Sequence, residues 1–228
     1  MQEKNKITGT PVSRIDGILK VTGKADYSTD HPVKNAAYAI LFKSTIAAGK
    51  IKDIDTSAAE KSPGVLAVIT HKNAPKLNVK GGLRGGAMLQ GPDIEFHGQH
   101  IGLVVAETFE LARYAASIIT VDYEEETFST DIHVNLDKAR APKAGLASAL
   151  KPPPPKPKGD FEKAFDNSAA QASGEFFHGT EHHNPLELFT TTTIYEGDGK
   201  LTIYDKTQGT VNCQLYVGNV FGLHFIQN

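Results

Sequence analysis

Tryptophan is absent from the 228 residues, methionine occurs twice and cysteine once. A lone thiol, Cys213, excludes an intrachain disulfide framework and any multi-cysteine zinc or iron–sulfur cage. No apolar run approaches the roughly 18 residues that a membrane-spanning helix needs, so no membrane insertion is expected. Excess charge of either sign is also missing: 24 Lys and Arg stand against 26 Asp and Glu, and no basic block is long enough to neutralise phosphates. Nucleic acid is therefore not an expected partner. The first residues, MQEKNKITGTPVSRIDG, contain no apolar leader segment, which makes the cytoplasm the default expectation. With 39% hydrophobic and 22% charged residues, the composition is that of an ordinary soluble globular protein.

What is present begins with one sharp change of composition. KPPPPKPKGD, residues 151–160, holds five prolines. Because proline fixes φ and lacks an N–H, this stretch reads as an extended, semi-rigid connector between two units. Before it, two β-α-β patterns are expected. AAYAILF is a continuous apolar run of strand length and VLAVIT a run of buried-strand type, while Ile51 and Ile54 fit an exposed strand between them. Ser57 stands three residues before Glu60, the spacing of a capping box, and Pro63-Gly64 stops the helix it opens. HIGLVVAE is another apolar strand, followed by a helix behind a Thr108 cap and by the strand TVDYEE. Strands interleaved with short helices imply helices packed on one sheet.

After the connector, Asp160 caps one or two helical turns, and AQASGEFF reads as a strand. FTTTTIYE and KLTIYDKT flank Gly197-Asp198-Gly199 as a hairpin. TVNCQLYVGNVFGL reads as an amphipathic helix with Val211, Leu215 and Phe221 among its apolar positions. The fold class expected from these patterns is α+β.

The chemistry-bearing residues are few. His178, His182 and His183 fall with Glu181 and Glu187 inside ten residues. Pro185 argues against a helix there, so two histidines on one helical face are not available to a metal. A turn with hydrated histidines outweighs a metal site. GGLRGG, residues 81–86, lacks the Lys-Ser/Thr ending of a phosphate-binding loop and reads as a plain loop. Cys213 has no charged activator nearby in sequence and reads as a structural thiol. Glu124, Glu125 and Glu126 read as a solvated strand end.

The succession of segments nevertheless resembles one family. SRIDGILKVTGKADYSTD is similar to the opening signature of the molybdenum-binding large subunit of the xanthine dehydrogenase/aldehyde oxidase family. KSTIAAGKIKDIDTSAAEKSPGVLAVIT and FHGQHIGLVVAETFELARYAASIITVDYEE resemble the next two blocks. These together make up the aldehyde oxidase/xanthine dehydrogenase a/b hammerhead domain. GDFEKAF, HHNPLE and LTIYDKTQG resemble the start of the molybdopterin-binding domain, its first β-hairpin and helix. The strand and loop around AAYAILFKSTIAAGKIKDIDT are most similar to bacterial aldehyde oxidoreductases of the periplasmic type. The implied division is an N-terminal arm 1–16, a hammerhead domain 17–126, a Pro-rich linker 127–159 and an incomplete molybdopterin-binding domain 160–228.

The resemblance implies hydroxylation of an aldehyde or an N-heterocycle at carbon, with water as the oxygen source. It implies molybdopterin with molybdenum, in the cytosine dinucleotide form, and partner subunits carrying iron–sulfur clusters and FAD. A partner's export signal would then place the assembly in the periplasm. Gln208, in KTQG, matches the family glutamine that hydrogen-bonds a molybdenum oxygen ligand. A carboxamide suits that task because it donates without bringing a charge to the metal. Taken alone, Gln208 reads instead as a strand-end glutamine satisfied by backbone. In HHNPLE, Leu186 stands where the family usually has methionine, Leu188 where it has proline and Phe189 where it has a second histidine. Those departures weigh against a polar active-site role for the turn. The glycine-rich cofactor loop and the general-base glutamate are expected beyond Asn228, so no catalytic residue and no metal ligand is assigned in this chain. A truncated subunit explains that better than a split one.

Three functions of different kind follow: part of a molybdenum hydroxylase, a non-catalytic assembly or subunit-docking module built on the hammerhead domain, or a histidine-based metal protein. On the first, the chain purified alone is expected to hold no molybdenum cofactor. Elemental and pterin analysis checks this, and stoichiometric recovery of both would overturn it.

Overall fold

The computed structural model describes residue 9 and residues 11–77, 88–140 and 158–223. The GGLRGG loop and most of the proline run lie outside the described residues. The chain forms two compact units, one of residues 129–185 and one of residues 1–128 with 186–228.

In the larger unit, a short helix α1 (Gly17–Val21) precedes strand β1 (Tyr38–Lys43). β2 (Gly49–Asp55), helix α2 (Ser57–Glu60) and β3 (Val65–Thr70) follow, then β4 (Asp93–Ile94) and β5 (His100–Ala106). Helix α3 (Phe109–Ser117) and β6 (Thr120–Glu125) close this part of the chain. The strands do not share one sheet, as the sequence pattern suggested. They form two antiparallel three-stranded sheets, ordered β1-β5-β3 and β4-β2-β6. Sequential strands thus alternate between sheets, which local periodicity cannot reveal.

Only a central strand of a three-stranded sheet is flanked on both sides, and burial follows that rule. β5 buries Ile101, Gly102, Val104 and Ala106. β3, expected to be wholly buried, is an edge strand that leaves Leu66 exposed. The second correction runs the other way: β2 is central, and Ile51 and Ile54 belong to the core with Ile46, Ile94 and Ile101. The other core cluster is Ala59, Val68, Val104 and Ala115, where α2 and α3 pack small residues against the first sheet. Phe42 and Ile119 pack on both clusters and join them.

Helix starts are set by side chains, as expected at α3, where Thr108 accepts from the Leu111 N–H. At α2 the cap differs from the Ser57–Glu60 box. Thr56 is the N-cap, its hydroxyl donates to Glu60 at 2.7 Å, and the Ser57 N–H is taken by Asp55 at 2.9 Å. Gly64, with φ of +75°, makes the turn out of α2, where a Cβ would meet Leu111. The acidic run sits at the exposed end of β6, where the Glu126 N–H donates to the Ala48 carbonyl at 3.0 Å.

The smaller unit holds a 3-10 helix (His133–Lys138) and helix α4 (Phe161–Asp166), whose first turn is capped by Asp160 accepting from the Lys163 N–H. Residues 170–177, expected as a strand, are not one. No strand is found among the described residues of that unit, so this backbone has nothing to pair with, and Phe176 and Phe177 stay exposed.

The Phe42 ring lies against Gly102 and leaves no room for a Cβ, which would also come within 2.8 Å of the Ile69 carbonyl. Gly102→Ala is expected to destabilise the chain by about 1–3 kcal/mol through overpacking. Urea unfolding checks it; an unchanged midpoint would show that the ring has slack.

Candidate functional site

Of the residues singled out in the sequence, Glu187, Gln208 and Cys213 lie on or next to one hairpin and the helix that follows it. β7 (Thr191–Gly197) and β8 (Lys200–Asp205) pair antiparallel, and helix α5 (Thr210–Phe221) follows. Alternating threonine, isoleucine and tyrosine suit a pleated pair. The turn takes positive φ at Gly197, Asp198 and Gly199 (91°, 48° and 75°), which glycine accepts without strain. Across the strands, Thr191 Oγ1 donates to Asp205 Oδ1 at 2.7 Å and Thr202 Oγ1 donates to Glu196. Lys200, hydrogen-bonded to Glu196, and then Thr202 hold that carboxyl below its ordinary pKa.

Between β8 and α5 the chain bends through Thr207, Gln208 and Gly209. The Gly209 N–H donates to Thr207 Oγ1 at 3.3 Å, and its carbonyl accepts from the Cys213 N–H at 3.0 Å as the helix begins. Gln208 is exposed on this bend, and its carboxamide bonds no described residue. Beside the bend, a cavity of about 440 Å³ lies between β8 and α5, lined in part by Thr202, Asp205, Thr207, Thr210 and Cys213. α5 ends at Gly222 in the left-handed region, with the Leu223 N–H donating to the Gly218 carbonyl. The helix buries Val220, whereas Val211, Leu215 and Phe221, read as its apolar positions, are exposed.

The hairpin is tied to a distant part of the chain by contacts in which Ser28, His31, Tyr204 and Lys206 were not singled out in the sequence, whereas Glu187 and Phe189 were. The buried Ser28 donates its N–H to Glu187 Oε1 at 3.2 Å and its hydroxyl to the Thr190 carbonyl at 2.8 Å. His31 stacks on Tyr204 with ring centroids 3.6 Å apart. Lys206 Nζ donates to the Glu187 carbonyl at 2.6 Å and lies 3.7 Å from the centroid of the Phe189 ring. Ser28 and Glu187 are 159 residues apart, and no local pattern signals such a pairing. The one available hint was the aromatic and ionisable character of Tyr204 and Lys206 just before Gln208.

His178, His182 and His183 are exposed, and among the described residues no three His, Cys, Asp or Glu side chains are grouped to hold a metal. Asn184 takes a φ of +37°, which sets the turn there in a non-helical form. Of that cluster only Glu187 is built into the structure, as an anchor. Cys213 is a partly buried thiol whose Sγ lies 3.7 Å from Asp205 Oδ2. Burial first, and then the Asp205 carboxylate, push its pKa up, the opposite of an activated nucleophile.

Two family models match the chain. One, described as aldehyde oxidase and xanthine dehydrogenase, a/b hammerhead domain, matches residues 22–127; the other, a molybdopterin cofactor-binding domain, matches residues 150–227. The class of protein is thus an a/b hammerhead domain joined to the start of a molybdopterin cofactor-binding domain. The chain belongs to the aldehyde oxidase and xanthine dehydrogenase family. It is 37% identical over 205 residues to the aldehyde oxidoreductase molybdenum-binding subunit PaoC of Escherichia coli (strain K12), covering 89% of this chain and 27% of that protein. The chain therefore spans about a quarter of the length of PaoC. Aldehyde oxidoreductase from Desulfovibrio gigas superposes with a TM-score of 0.66 at 25% identity, over 92% of this chain and 25% of that one. Quinoline 2-oxidoreductase from Pseudomonas putida 86 shares the fold, with a TM-score of 0.73 at 22% identity over 94% of this chain and 29% of that one. Among the described residues no helix is long and apolar enough to cross a membrane.

Since burial and Asp205 both disfavour the thiolate, alkylation of Cys213 is expected to be slow at pH 8. Asp205→Asn removes the repelling charge while keeping an acceptor for Thr191, so labelling should speed up. An unchanged rate, followed by mass spectrometry, would show that burial alone sets the reactivity.

Proposed function

We propose that this chain forms part of the molybdenum-cofactor-binding subunit of an enzyme that oxidatively hydroxylates aldehydes or N-heterocycles, with Gln208 as its contact to an oxygen ligand of the metal. The observation that carries the reading is the Gln208 carboxamide, exposed on the β8–α5 bend with no described partner, inside the stretch that matches the cofactor-binding domain. A neutral amide there fits the group: its N–H donates to an oxygen without adding charge. When bound, the cofactor supplies the two-electron oxidation of the substrate. Gln208 orients it, and no residue of this chain is assigned the role of general base.

The finer parts of the proposal follow the resemblance. The cofactor is molybdopterin in its cytosine dinucleotide form, and the partners are an iron–sulfur subunit and an FAD subunit. The domain division of 17–126 and 160–228, joined by 127–159, belongs to the same proposal. So does location, cytoplasmic by default and periplasmic if a partner carries the export signal. The name of PaoC supports the aldehyde among the two substrate classes. The match over residues 150–227 favours this reading over a docking module without catalytic role.

In the assembled, cofactor-loaded enzyme, Gln208→Ala is expected to lower activity by about 10–100-fold, the usual cost of losing a group that supports a metal's ligands. Gln208→Glu should not restore it, because a carboxylate accepts and cannot donate. Molybdenum content per chain and steady-state kcat are the measurements. If both variants match wild type in content and rate, Gln208 is not the contact.

A further inference from the structure

The bend that carries Gln208 is not held from within. Thr207 offers its hydroxyl to the Gly209 N–H at 3.3 Å, and no side chain caps the start of α5. One bond of this kind would leave an exposed three-residue bend free to sample several conformations, at a backbone entropy of about 1–2 kcal/mol per residue. What fixes its near end is Lys206. The ammonium donates to the Glu187 carbonyl at 2.6 Å and sits over the Phe189 ring at 3.7 Å, so two independent contacts hold one side chain in place. Glu187 is itself tied down, because its carboxylate accepts the Ser28 N–H at 3.2 Å. Ser28 in turn is buried and bonded to both the carbonyl and the hydroxyl of Thr190, each at 2.8 Å. On the other side of Lys206, Tyr204 is stacked on His31. The last residues of the hairpin before Gln208 are therefore pinned at alternate positions, Tyr204 and Lys206.

We propose that Lys206, clamped between the Glu187 carbonyl and the Phe189 ring, is a positioning residue that holds the Thr207–Gln208 bend so that the Gln208 carboxamide is presented in one orientation. This rests on the reading of Gln208 as the cofactor contact. It assigns a task to the turn after the histidines: Glu187 and Phe189 serve as the seat of a lysine rather than as ligands. Phe189 stands where the family usually has a histidine, and a phenyl ring gives a cation a face that a protonated imidazole would not.

The test uses the 228-residue chain without cofactor, labelled with nitrogen-15, and reads backbone order by NMR relaxation. In wild type, Gln208 is expected to have the order parameter of rigid backbone, about 0.85. In Lys206→Met, which keeps the stem and removes the charge, it should fall below about 0.6 while β5 amides are unchanged. Lys206→Arg, which can still donate to the carbonyl and stack on the ring, should restore it. Phe189→Leu should lower it in part, which keeps the idea testable if the methionine variant fails to fold. Gln208 as ordered in Lys206→Met and Phe189→Leu as in wild type overturns the proposal, and so does a Gln208 already mobile in wild type. Because no cofactor is present, failure here is distinct from failure of the cofactor reading, which is decided by molybdenum content and rate in the Gln208 variants.

Discussion

A phenyl ring packed on a glycine joins the hydrophobic core of the hammerhead domain. Phe42, on an edge strand of one sheet, lies over Gly102 on the central strand and reaches both buried clusters, as Ile119 does. Two three-stranded sheets have little core apiece, and small sheets need a packed face to be stable. Sharing two residues between the clusters makes one continuous core from two modest ones. The ion pairs along the outer face, such as Lys52–Asp122 at 3.1 Å and Lys72–Asp53 at 2.7 Å, are exposed and add little by comparison.

The hairpin of the cofactor-binding segment gains its support differently. A two-stranded ribbon is marginal by itself. This one is fastened by polar contacts to the segment around Ser28 and by a stacked ring pair, His31 and Tyr204. Hydrogen bonds and stacking are directional, so they set where a short element lies better than apolar burial does. On the proposed reading that suits an element that presents the Gln208 amide, and Glu187, unlike its histidine neighbours, is part of the fastening. On α5, by contrast, Val220 is buried, Cys213 and Val217 are partly buried, and Val211, Leu215 and Phe221 are exposed.

Much of the local structure was legible before any coordinates. The Thr108 and Asp160 caps, the hairpin about Gly197-Asp198-Gly199 and helix α5 depend on contacts within a few residues, and short-range pattern captures those. Ile51 and Ile54 were misread as exposed, and VLAVIT as fully buried, because strand position in a sheet decides burial and periodicity does not report position. AQASGEFF carries strand-like residues but has no partner strand among the described residues. Gln208 was legible only through the family motif around it, since a lone glutamine has no chemical signature.

The sequence by itself determined most of the longer elements, the family and the candidate contact at Gln208, all of which live in runs of a few to a few dozen residues. Only the tertiary structure decided that the strands divide between two sheets and that Gly102 must stay bare under a ring. It alone brought Ser28 to Glu187 across 159 residues, and Lys206 to the carbonyl and ring that seat it. The physical reason is common to all of these: each depends on which distant segments the folded chain brings within bonding distance, and spacing along the chain does not encode that distance.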